Sequence, residues 1–78
     1  MPLYFVDIHD GQTTTHDDAG ADAPSPEVAR DEAVRLLTEV AKAKVGSSSE
    51  QLLVATVRDD VNQSIYQIML SLTCRRFG

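Results

Sequence analysis

The sequence predicts a single α+β domain of order ββαββ: a four-stranded antiparallel sheet with one helix packed on one face. Three observations lead there. An alternating apolar and polar segment runs into an Asp-Gly pair, a segment of 3.6-residue period fills the middle, and two β-branched segments close the chain. With 78 residues the chain makes one domain, residues 1–78, with a small core.

The first strand is residues Leu3 to His9, in which Tyr4, Val6 and Ile8 share one face and Phe5, Asp7 and His9 the other. Asp10-Gly11 suits the positive φ values of a two-residue type I′ turn, and the β-branched run Thr13-Thr14-Thr15 supplies the returning strand. That turn sets His9 opposite Gln12, Ile8 opposite Thr13, Asp7 opposite Thr14 and Phe5 opposite His16. Asp17 to Pro26, "DDAGADAPSP", has the composition of a loop. It ends in Ser25 as N-cap and Pro26 as first helical residue.

From Pro26 to about Val45, Ala29, Ala33, Leu36, Leu37, Val40 and Ala41 form one apolar stripe, with acidic residues early and Lys42 and Lys44 late, as the helix dipole favours. Gly46 is the predicted stop and Ser47-Ser48-Ser49 the following loop. Leu52 to Arg58 and Ser64 to Thr73 form a second hairpin about the polar turn Asp59 to Gln63. In the last strand Tyr66, Ile68, Leu70 and Leu72 make an unbroken apolar face for the helix to cover. The opposite side of the sheet is left with Phe5, Asp7, His9, Thr14, His16, Ile65, Gln67 and Met69. A helix on one side only leaves that mixed face open, which predicts self-association as a homodimer, with Phe5, Ile65 and Met69 as its interface residues.

The segments "YFVDIHDG" at Tyr4 to Gly11, "DDAG" at Asp17 to Gly20, "ARDEA" at Ala29 to Ala33 and "VRDD" at Val57 to Asp60 together resemble a set of short bacterial proteins, common in alphaproteobacteria and known only as a domain of unknown function. The resemblance covers most of the chain. It supports the strand and helix order and implies no catalytic residue, cofactor or substrate. The chain departs from that pattern in its last turn, where Asp59-Asp60-Val61-Asn62 has no glycine, and in its ending Cys74-Arg75-Arg76-Phe77.

Charge narrows the function. Twelve acidic against seven basic side chains give a net charge of -5, which repels a phosphate backbone and argues against nucleic-acid binding by this chain alone. Arg75-Arg76 is a local exception that reads as a solvated tail. A single cysteine, Cys74, permits no internal disulfide, no window approaches the length of a membrane span, and the apolar run at the start is too short for a signal peptide, so a cytoplasmic protein is expected.

The stretch "VDIHDGQTTTHDD" holds two histidines and four aspartates, and invites a metal site made from His9, Asp10, His16, Asp17 and Asp18, with Asp7 between the two histidines. In the register above the two histidines stand roughly 13 Å apart along the strand, too far for one ion. No metal ligand set or cofactor is therefore assigned. "DDAGAD" lacks the spacing of a calcium-binding loop. Asp17-Asp18 and Asp59-Asp60 fall in turns, where adjacent carboxylates are solvated and not tuned for proton transfer. No nucleophile elbow or glycine-rich phosphate loop is present. Two functions stay open: a non-catalytic interaction or regulatory module that self-associates and binds a protein partner, and a metal-dependent or acid-base enzyme using Asp7, His9 and His16.

Overall fold

The computed structural model describes residues 2–44 and 50–77. In chain order it contains β1 (Leu3–His9), β2 (Thr14–Thr15), β3 (Ala21–Asp22), α1 (Pro26–Lys44), β4 (Glu50–Arg58) and β5 (Ser64–Thr73). All neighbouring strands are antiparallel, in the order β2-β1-β4-β5, with β3 also on β1. The α+β class stands, but the sheet has five strands among the described residues, not four. The extra one, β3, comes from the segment expected to be wholly loop. Gly46 and the serines after it lie outside the described residues.

The first hairpin differs from its expected form. His9 pairs with Thr14 and Ile8 with Thr15, so the turn is Gly11-Gln12 and each partner is displaced by two residues. Gly11 has the positive φ of 95° and Gln12 does not, which rules out the type I′ turn. The cause is the Asp10 side chain. Its Oδ1 accepts from the backbone N–H groups of Gln12 (3.0 Å) and Thr13 (2.8 Å), while Asp10 N–H donates to Thr13 O (3.1 Å), so Asp10 closes the turn from outside instead of sitting within it. A displacement of two leaves every side chain on its predicted face.

The helix begins as the sequence predicts. Ser25 Oγ accepts from Val28 N–H (3.3 Å), and Ser25 O accepts from Ala29 N–H (3.2 Å). Its buried stripe is Ala29, Ala33 and Leu37, small enough to bring the helix close over the central strand, where Leu53, Ala55 and Val57 are fully buried. Tyr4 and Ala23 complete this core, and Val6, Ile8, Val40, Ala41, Tyr66, Ile68 and Leu70 pack around it. At the far end of the helix Lys44 Nζ lies 2.9 Å from Asp10 Oδ2, joining the last helical turn to the first hairpin.

The second hairpin forms without a glycine because Asn62 takes the left-handed position (φ 64°), which asparagine tolerates better than most residues. Asp59 Oδ1 accepts from Val61 N–H and Gln63 N–H, and Asp59 N–H donates to Gln63 O. The ladder slips where Val57 pairs with Tyr66 and Arg58 with Ser64, leaving Ile65 without a partner. At that irregularity Ile65 packs against the core cluster, a departure from its expected place on the open face.

Candidate functional site

On the helix-free side, Asp7, Asp17 and Arg58 converge at one cluster built on the outer edge of β1. After β2 the chain leaves that edge and returns as β3, which pairs with Leu3 and Tyr4. The gap would leave the Val6 N–H without a strand partner. Asp17 fills it: its Oδ2 accepts from Val6 N–H (3.0 Å), and its own N–H donates to Asp7 Oδ1 (2.9 Å). Asp17 Oδ1 also accepts from Ala19 N–H (3.2 Å) and Gly20 N–H (2.9 Å), closing the loop. Gly20 is required there on two counts, for it has φ 71° and a Cβ would stand 2.8 Å from Phe5 Cε1.

Arg58, the last residue of β4, reaches across Phe5, opposite it in the ladder, and locks this arrangement. Its Nε donates to Asp7 Oδ2 (2.7 Å) and its Nη2 to Asp7 Oδ1 (3.0 Å), a bidentate pair whose side chains are 13% and 15% exposed. Nη2 also donates to Asp17 O (3.0 Å), Nη1 donates to Asn62 Oδ1 (2.6 Å), and the guanidinium carbon lies 5.0 Å from the Phe5 ring centroid. Three segments of the sequence, "VDIHDG", "DDAG" and "VRDD", thus meet at one point.

The charges are held firmly ionised. Burial works against the Asp7 carboxylate, but the hydrogen bond from Arg58, the Asp17 amide and the nearby charges of Arg58 and His16 outweigh it and keep Asp7 below the ordinary aspartate value of 3.8. Asp17 is also lowered, since its bonds from the Gly20, Val6 and Ala19 amides overcome its burial and the repulsion of Asp7. Asp10 is lowered further by Thr13 N–H, Lys44 and Gln12 N–H. The Arg58 guanidinium is raised, first by its hydrogen bond to Asp7.

The residues proposed from sequence for a metal or acid-base site are only partly brought together. His16 Nδ1 lies 3.3 Å from Asp7 Oδ1, and its Nε2 is 3.9 Å from Asp18 Oδ1 and 3.4 Å from Arg58 Nη2. His9 is elsewhere, its Nδ1 2.8 Å from Thr14 Oγ1. The displaced register brings the histidines closer than the sequence reading implied, to one cross-strand rung or roughly 7 Å along the strand. Even so, among the described residues no group of three or more His, Cys, Asp or Glu side chains is arranged to hold a metal ion. Of the expected interface residues, Met69 is 63% exposed on the open face, Phe5 is half-buried beneath Arg58, and Ile65 is half-buried.

Arg58, and the structural role of Asp17, escape a reading of the sequence. An arginine closing an apolar strand was the available signal for the first, but its partner on β1 depends on strand order. Asp17 stands among the candidate metal ligands and in an expected turn, and neither signal places its carboxylate on the Val6 N–H.

Fold and cluster together define a small α+β protein with a helix on one side of an antiparallel sheet and a carboxylate–guanidinium tie on the other. The chain belongs to the family described as a domain of unknown function, DUF6894, whose model matches residues 3–71. Neither curated proteins nor solved structures yielded a match.

Proposed function

We propose that this protein is a non-catalytic interaction module that acts through self-association. The observation that carries this reading is β5. It stands at the edge of the sheet, runs for ten residues without a charged residue, proline or glycine, and has Tyr66, Ile68, Leu70 and Leu72 only half-buried on its helix side. Soluble proteins ordinarily blunt such an edge with charge, proline or brevity. The opposite edge of this sheet has that protection, with two-residue strands and Asp17 between them. The open face adds Leu52 and Met69, 49% and 63% exposed.

The Asp7–Arg58 cluster fits a structural tie better than a reactive centre. A general base needs an available lone pair and a pKa raised toward neutrality, whereas Asp7 has both oxygens engaged and a lowered pKa. The enzyme reading through Asp7, His9 and His16 is therefore not adopted. The described helix is not long and apolar enough to cross a membrane. The setting that goes with this reading is the cytoplasm, where a homodimer would present its sheet to a protein partner. Sedimentation velocity over a concentration series tests the proposal: a monomer–dimer equilibrium supports it, and a single monomer species at millimolar protein overturns it.

A further inference from the structure

Resting on the self-association just proposed, we infer that the occupant of the β5 edge is β5 of a second copy, paired antiparallel about a two-fold axis through Met69. The outer edge of β5 carries backbone N–H and C=O groups to which, among the described residues, no strand is paired. A row of such groups is complemented by another strand. Residues directly opposite each other across an antiparallel ladder point to the same face. In a two-fold pairing the opposed residues must then be both even or both odd, and the axis passes through one residue.

The regular part of β5 narrows the choice. Its ladder to β4 is irregular at Ser64 and Ile65 and continuous from Tyr66 to Thr73. A pairing about Met69 lies wholly within Ile65 to Thr73. On the helix side it sets Ile68 against Leu70 and Tyr66 against Leu72 of the second copy, so the four half-buried apolar residues cover one another. On the open side it sets Gln67 against Ser71 and Met69 against Met69. Every row meets itself, and the association closes at two copies.

Size and charge agree with this occupant. The nine paired residues span about 30 Å, and across the 17 Å thin dimension of the molecule they give a footprint of roughly 510 Å² per copy, or about 1,000 Å² in total, at the lower bound for a specific interface. Each copy carries a charge of -5, and a charged contact surface would add local repulsion, whereas β5 has no charge at all. Cys74 falls opposite Ser64 of the second copy, so the native cysteines are held apart.

Single cysteines at positions 67, 69 and 71, each in a Cys74→Ser background, test the geometry under mild oxidation, beside sedimentation of the unmodified chain. The expected result is rapid disulfide dimer formation by Met69→Cys, little by Gln67→Cys or Ser71→Cys alone, and a mixed disulfide when those two are combined. Met69→Lys, which alters an exposed side chain and places two like charges at the axis, weakens association at least tenfold with an unchanged circular dichroism spectrum. A dimer that sediments normally but fails to cross-link at Met69 overturns the edge pairing while leaving self-association in place. A monomer overturns both.

Discussion

At the scale of single residues, the structure turns on donors and acceptors that leave no room for an isosteric exchange. Both oxygens of Asp17 accept backbone N–H groups, from Val6 on one side and from Ala19 and Gly20 on the other. Asn in its place must aim an NH2 at one of those donors. Asp17→Asn is therefore expected to destabilise the fold by about 2 kcal/mol, nearly as much as Asp17→Ala, read as a loss of stability in urea. The glycines offer a second comparison. Gly11 and Gly20 both have positive φ, but a Cβ at Gly11 meets nothing within 4 Å whereas at Gly20 it collides with Phe5. Gly11→Ala should cost about 1 kcal/mol in backbone strain alone, and Gly20→Ala should cost more and perturb the Phe5 environment. Equal losses would show that the Phe5 contact is unimportant.

At the scale of elements, the helix was the most legible part of the chain. Ser25, Pro26 and the spacing of Ala29, Ala33 and Leu37 are local signals, and they act within a turn or two of where they stand. Ser25→Ala should cost about 1 kcal/mol in thermal unfolding, by loss of the N-cap. The last hairpin was also readable, including its strand β5 from Ser64 to Thr73. The first hairpin was read with the right faces and the wrong turn, because Asp10-Gly11 satisfies the usual turn preference while Asp10 in fact serves as the outer acceptor. β3 was not read at all. Two residues of an Ala-Asp-Ala-Pro segment have no strand signal, and their pairing with Leu3 and Tyr4 exists because Asp17 carries the chain back to β1.

At the scale of the whole molecule, acidity ties the cluster to stability. Asp7, Asp10 and Asp17 all have folded pKa values below the ordinary 3.8, so their contribution is complete above that value and is lost as pH falls through the lower folded values. Stability should decline below about pH 4, and the Asp17→Asn variant should show a shallower decline when urea midpoints are compared across that range. Salt should act in the opposite sense to its usual effect on ion pairs. Two copies of charge -5 repel, so raising ionic strength should tighten the dimer, measurable as a fall in its sedimentation dissociation constant. Weakening by salt would point to an interface held by charge and not by β5.

The amino-acid sequence by itself determined the α+β class, the helix and its capping, the faces of the strands except at Ile65, and the acidic charge, because periodicity and turn chemistry act over a few neighbouring residues. Tertiary structure alone decided that β1 lies beside β4, that β5 is left at an edge, and that Asp7, Asp17 and Arg58 meet. Those outcomes join residues as far apart as 51 positions in the chain, and their geometry exists only once the sheet has assembled.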